Sequence, residues 1–213
     1  ITLERAADYE SALREKGFVV ADYAARRADV AAQVRAKAAE LGGTAVIDEA
    51  LLDEVSSLVE WPRALAGRFE ERFLEVPAEA LISSMKQHQK YFHVVDANGA
   101  LLPYFITVSN IDSSDAQKVV DGNERVIRPR LTDAAFFFAQ DKQSTLAAQR
   151  ERLRSIVFQT DLGSIWDKTE RVAGLARTIG AELGADPALC ARAAPLSKSG
   201  LVSEMVLEFD ELQ

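Results

Sequence analysis

The chain has 213 residues, with 25 Lys and Arg against 33 Asp and Glu, a net charge of −8 and a pI near 4.9. A 48% hydrophobic and 27% charged composition supplies enough apolar surface for a core and excludes a mainly disordered chain. The longest apolar runs, such as 134–139, fall far short of the ~20 residues a bilayer span needs. The acidic balance argues against a protein that grips nucleic acid through bulk positive charge, though it allows a local basic patch.

Cys190 is the single cysteine, so no internal disulfide forms. With no signal-peptide pattern, this favours the cytoplasm. Cys190 reads as a small core residue in an Ala/Leu-rich helix. His88 and His93 are the only histidines, too few with one Cys for a Cys/His zinc site, and no metal site is expected. The chain opens at Ile1 and closes on a helix-like run, 201–212. It reads as an internal piece of a longer protein, whose active site is free to lie elsewhere.

Residues 3–41 have a helical pattern that Gly17 breaks and Tyr23 resumes. Gly42-Gly43 ends it. Asp48 caps a second helix with Leu51, Leu52, Val55 and Leu58 on its apolar face, and Pro62 follows. The stretch 68–74 is ambiguous. Pro77 opens a helix over 78–85. Tyr91–Val95, the turn residues Asp96-Ala97-Asn98-Gly99 and Leu101–Ser109 predict an antiparallel hairpin, with another strand near 18–20 or 63–66. One helix starts at Ser113 or Ser114 and stops near Gly122. The next starts at Pro129 and runs to about Lys142. From Thr145 the pattern is all-helical. Ser164 and Asp167 suit a capping box, and Val172, Leu175, Ala176 and Ile179 form an apolar stripe. The expected class is α+β: a mixed module with a small antiparallel sheet flanked by helices over 1–148, then a helical region over 149–213.

No G-x-x-x-x-G-K-[ST] or G-x-G-x-x-G cradle is present, nor H-E-x-x-H, nor G-x-S-x-G. Adjacent carboxylates such as Glu70-Glu71 read as solvated charges. Two stretches stand out. In Met85–His93, the cations Lys86 and Lys90, with His88 and aromatic neighbours, suit RNA contact. They suit equally a polar helix end feeding a buried strand. In Gly122–Ala134, Arg125, Arg128 and Arg130 lie at an expected helix start, where orphan N–H groups favour anions. Glu124, Asp133 and Asp141 offer them ion-pair partners instead. Phe136, Phe137 and Phe138 cannot all face one way on a helix, so core and interface share them. Seven cations balance seven anions over 86–142, so the remainder carries the whole −8, and any RNA-facing surface belongs to this segment.

Met85-Lys86-x-x-Gln89-Lys90-Tyr91-Phe92, Leu102-Pro103-x-Phe105, Gly122-Asn123-Glu124-Arg125-Val126 and Arg128-Pro129-Arg130-Leu131-x-Asp133-Ala134-x-Phe136-Phe137 closely resemble the β subunit of bacterial glycyl-tRNA synthetase. So do Leu162-Gly163-Ser164, Asp167-Lys168-Thr169-x-Arg171, Leu196-Ser197-Lys198 and Met205-Val206-x-Glu208-Phe209. The resemblance implies an α₂β₂ enzyme that joins glycine to its tRNA with ATP and Mg. It places the catalytic core on the α subunit, and gives β a mixed module, a helical HD-like domain and an anticodon-binding end. It makes residues 149–213 the start of a truncated HD-like region. It implies no catalytic residue and no cofactor in this chain, no membrane, and tRNA and the α subunit as partners. Lys198-Ser199-Gly200-Leu201 departs from the family's frequent Lys-x-Asp-Leu. Gly200 can neither ligate metal nor cap a helix, which argues against phosphohydrolase chemistry. Three readings are open: tRNA contact through Lys86, His88, Lys90, Arg125, Arg128 and Arg130; a structural subunit interface through Phe136–Phe138; and an RNA-directed hydrolase, for which no nucleophile or metal set is found.

Overall fold

The computed structural model describes residues 1–213. The chain divides into two compact units, Ile1–Asp133 and Ala134–Gln213, whereas the change of patterning in the sequence falls between residues 148 and 149. Asp141 explains why the later unit begins before that change. Its carboxylate accepts the backbone N–H groups of Glu204 and Met205 at 2.8 and 2.9 Å, binding the segment before Thr145 to the helices after it.

In the first unit, α1 (Tyr9–Ala12) runs into a wide turn at Leu13–Gly17. Asp22 caps α2 (Tyr23–Glu40) by accepting from the Ala25 N–H, and the chain turns at Gly42 with φ +73°. Strand β1 is Thr44–Ala45. Asp48 caps α3 (Glu49–Leu58), accepting from the Leu51 N–H at 2.8 Å. Leu51, Leu52 and Val55 are buried as expected, but Leu58 is 62% exposed, and the buried line continues through Ser56 and Val59 instead.

Of the two candidate segments for an extra strand, 63–66 forms it, as β2 (Arg63–Arg68). The ambiguous stretch resolves into the end of β2 and a 3₁₀ turn, Glu71–Glu75. Helix α4 (Ala78–Ser83) widens into a π-type turn, Ser84–His88. The expected hairpin is β3 (Phe92–Val95) and β4 (Leu101–Ser109). Asp96 accepts from the Asn98 and Ala100 N–H groups, and Gly99 takes φ +84°. The sheet order is β1-β3-β4-β2, all antiparallel.

Alternation along the strands gives the sheet two apolar faces. Val30, Val34 and Ala38 of α2 and Leu52 and Val55 of α3 cover one face, against Phe92, Val94 and Ile106. On the other, the Tyr91 and Phe105 rings stack, with centroids 4.4 Å apart. Gly67 lies opposite Phe105 on β2. A Cβ there would come within 2.3 Å of the ring, so only glycine leaves room for it.

One helix, α5 (Ala116–Asp141), replaces the two expected between Ser113 and Lys142, and Pro129 sits inside it. Proline costs a helix its N–H bond to residue i−4, but Pro129 is exposed. Ile127, Leu131 and Ala134 are fully buried along one stripe on both sides of it. Burial of that stripe outweighs the local stop signal, and Gly122 simply continues the helix.

The second unit holds α6 (Leu146–Arg150), β5 (Val157–Gln159), β6 (Gly163–Ser164), α7 (Ile165–Glu182), α8 (Pro187–Leu196) and α9 (Glu204–Glu208). It is therefore not all-helical: β5 and β6 pair antiparallel in a short hairpin whose turn the helical pattern concealed. The expected capping box opens α7. Ser164 Oγ accepts from the Asp167 N–H, and Asp167 Oδ2 accepts from the Ser164 N–H. Thr169, Ala173 and Gly180 form the buried side of α7. A Cβ at Gly180 would meet Cys190 Sγ at 2.7 Å, so the half-buried Cys190 fills a helix–helix contact. No helix is long and apolar enough to cross a membrane.

Candidate functional site

The two chemistry-bearing stretches of the first unit are joined by a partly buried hydrogen bond. Tyr91, at the end of the Met85–Tyr91 run, donates its hydroxyl to Asn123 Oδ1 at 2.5 Å, and Asn123 Nδ2 donates to the Val119 carbonyl. The next residue, Glu124, accepts the backbone N–H of Arg68 at 3.0 Å. Asn123 and Glu124 thus fix α5 to the sheet, and their part in the motif is positional.

Beside these contacts lies an open cleft of about 310 Å³, lined among others by Arg68, Glu70, Glu71, Glu124 and Arg128. Arg128 Nε donates to Glu70 Oε1 at 2.7 Å. Arg68 is exposed at the end of β2. Two guanidinium groups and three carboxylates face one space, a mixed-charge surface rather than a cationic one. The sequence left Arg68, Glu70 and Glu71 in its ambiguous stretch, since their convergence on Glu124 and Arg128 depends on long-range pairing of β2 with β4.

The six cations expected to contact RNA are not gathered on one surface. Lys86 Nζ bonds Asp48 Oδ2 at 2.6 Å, and Lys90 Nζ bonds Glu54 Oε1 at 2.8 Å, so both reach toward α3. Lys90 holds φ +58°, a left-handed conformation that closes the wide turn, with the Tyr91 N–H donating to the Met85 carbonyl. His88 is exposed on that turn. Arg125 and Arg128 lie about one turn apart on α5, while Arg130 points roughly 160° away from Arg128 at 3.6 residues per turn. The Arg run also occupies the middle of a helix, so the orphan N–H donors expected beneath it are absent. Arg125, like His88, is exposed and forms no ion pair or hydrogen bond.

His93 pairs with Phe105 across the hairpin. Burial lowers its pKa first, and the nearby Lys86 ammonium adds to this against the opposing Asp48 carboxylate. The imidazole is therefore neutral at pH 7.

In the second unit, Phe136 is 56% exposed, while Phe137 and Phe138 are half-buried. Phe136 meets Phe137 edge to face at 5.4 Å, and Lys142 lies over Phe138. A cavity of about 350 Å³ opens beside Phe136 and Phe137. Sequence reasoning passed over a cation–aromatic set here: Arg150 and Arg154 lie 3.6 and 3.5 Å from the Trp166 ring centroid, and Lys168 lies over Phe158. Its signal was the Arg150-x-Arg152-x-Arg154 repeat ahead of Trp166.

A family model described as glycyl-tRNA synthetase beta subunit matches residues 1–213. The chain belongs to that family. It is 59% identical over all 213 residues to the glycine–tRNA ligase beta subunit of Hahella chejuensis, and 61% identical over 208 residues to that of Marinobacter nauticus. The corresponding subunit of Chromohalobacter salexigens is 56% identical over 213 residues. The chain spans 31%, 30% and 31% of these relatives' lengths. Membership accounts for the ordered motifs in the sequence. The structure gives Tyr91, Asn123 and Glu124 of those motifs a positional role, and leaves Arg125 on the surface.

Proposed function

We propose that this chain forms part of a cytoplasmic glycyl-tRNA synthetase β subunit that supports ATP-dependent attachment of glycine to tRNA. It holds and positions tRNA and scaffolds the catalytic α subunit of an α₂β₂ enzyme. The observation that carries the reading is the family match over the whole chain. Catalysis in such an arrangement depends on orientation, which contributes several kcal/mol to a barrier. ATP and Mg act with the α subunit, and no residue of this chain is assigned to them.

Among the candidate RNA contacts, Arg125 ranks first because its guanidinium is exposed and uncommitted. Lys86, Lys90 and Arg128 already face carboxylates. A phosphate that displaces such a partner gains less than one meeting a free cation. His88 and Arg130 complete the set. The test is binding of the full α₂β₂ enzyme to glycine-specific and non-cognate tRNA across a salt series. Arg125→Ala is expected to reduce the slope of log K against log salt by about one unit, and Arg128→Ala by less. Unchanged affinity and slope in Arg125→Ala would remove it from the RNA surface.

The ion pairing of Lys86, Lys90 and Arg128 favours a second reading, a subunit-interface segment without RNA contact, to which Phe136 contributes an exposed ring. In that case Phe136→Ala weakens α–β association and leaves the tRNA salt slope intact.

A further inference from the structure

Pro129 gives α5 an acceptor that no other interior turn of the helix has. A prolyl nitrogen carries no hydrogen, so the Arg125 carbonyl, four residues earlier, lacks its helical donor. No side chain replaces it, whereas the Thr132 hydroxyl bonds the Arg128 carbonyl at 2.8 Å. At 3.6 residues per turn, Gly122, Arg125 and Pro129 fall opposite the buried stripe of Ile127, Leu131 and Ala134, and all three are exposed. Nothing lies within 4 Å of where a Gly122 Cβ would stand, so the backbone is bare one turn before Arg125. Lys118, a further turn back on the same side, pairs with Asp115 yet keeps 83% of its side chain exposed. The ridge thus presents an ammonium, a gap, a free guanidinium and a carbonyl without its donor, in that order.

This order fits a strand of RNA better than a protein surface. A sugar–phosphate backbone offers anions separated by riboses, and each ribose 2′-hydroxyl can donate as well as accept. Protein interfaces centre on large aromatic or apolar anchors, and Val126 is the only large apolar side chain exposed on α5 before Phe136. We infer that the Arg125 carbonyl accepts a ribose 2′-hydroxyl of bound RNA while the Arg125 guanidinium holds an adjoining phosphate. Pro129 is the positioning residue that keeps the carbonyl free. The inference rests on the tRNA-contact reading and adds to it: one residue meets both the charge and the sugar of the strand, so a deoxyribose strand loses one of the two contacts.

The test uses the full α₂β₂ enzyme and glycine-specific tRNA carrying single 2′-deoxy substitutions, one position at a time, with binding constants measured across a salt series. At least one position is expected to weaken binding of the unsubstituted enzyme about three- to tenfold, the range of one hydrogen bond, and to have no effect on Pro129→Ala. That variant returns an N–H to the Arg125 carbonyl and keeps every cation. Alanine is the better helix former, so the helix is retained. Unmodified tRNA should bind Pro129→Ala more weakly by the same factor, at an unchanged salt slope. A merely structural role for Pro129 would not single out one ribose. Equal sensitivity of the two enzymes at every position overturns the inference. If Arg125→Ala still lowers the slope in that case, the tRNA-contact reading stands without it. If Arg125→Ala changes neither slope nor affinity, both fall. Weaker α–β association in Pro129→Ala, with tRNA binding unchanged, also overturns the inference and assigns the ridge to a protein contact.

Discussion

The Tyr91 hydroxyl donates to Asn123 Oδ1 across 32 residues of sequence, joining the end of the wide turn after α4 to the first half of α5. Burial pushes the Tyr91 phenol up to about 12, since a phenolate there would lose its water. The folded value exceeds the unfolded value near 10, so the folded chain keeps a proton that the unfolded chain gives up. Stability from this group is complete below pH ~10 and falls as pH rises toward 12. Tyr91→Phe is expected to cost about 1–2 kcal/mol in urea denaturation at pH 7, because Asn123 is left with an unsatisfied acceptor. It should also flatten the alkaline decline.

Two glycines should respond in opposite directions to the same change. Gly67→Ala drives a methyl into the Phe105 ring, which is fully buried and backed by Tyr91. Overpacking of this kind costs about 1–3 kcal/mol. Gly122→Ala places a methyl in open space within α5. It should stabilise by roughly 0.5–1 kcal/mol, through helix propensity and a less flexible unfolded chain. Thermal denaturation of both variants beside the parent checks the signs.

Asp48 caps α3 and pairs with Lys86. The Lys86 ammonium first, and the Leu51 N–H second, hold its carboxyl below the usual carboxylate range. A depressed folded pKa gives stability that is present above the unfolded value near 4 and lost as pH falls through the folded one. Asp48→Asn is expected to cost less than about 1 kcal/mol at pH 7, the pair being partly exposed, and to weaken the acid dependence. Asp48→Ala should add about 1 kcal/mol for the lost cap. Urea midpoints between pH 3 and 7 distinguish the two.

Asp141 accepts two consecutive N–H groups at the start of α9. Asp141→Ala leaves both without that acceptor and should cost about 1–3 kcal/mol. Faster amide exchange at Glu204 and Met205, against unchanged exchange in α2, would localise the loss.

What the sequence made readable was local. As caps and turn formers, Asp48, Asp96, Gly99, Ser164 and Asp167 act within four residues of themselves, and each does in the structure what its type and spacing suggest; the reach of Asp48 to Lys86 was not legible. Long-range competition decided the rest. Pro129 and Gly122 are genuine local stop signals, yet burial of Ile127, Leu131 and Ala134 carries α5 past both. The two-residue β1 has too little pattern to be seen before its partner Val94–Val95 is placed. The cleft of Arg68, Glu70, Glu71, Glu124 and Arg128 exists only once β2 lies beside β4, so no linear motif contains it. The α7 stripe was legible as apolar, but its solvent exposure depends on what packs around it.

Glu124 has an effect beyond holding α5. Sheets grow at their edges, where unpaired N–H and C=O groups template an incoming strand. Here one edge strand, β1, is two residues long. On the other, β2, the Arg68 N–H is already taken by the Glu124 carboxylate, which also sets a negative charge against the border. Both borders are thereby made poorer templates for the addition of a further strand.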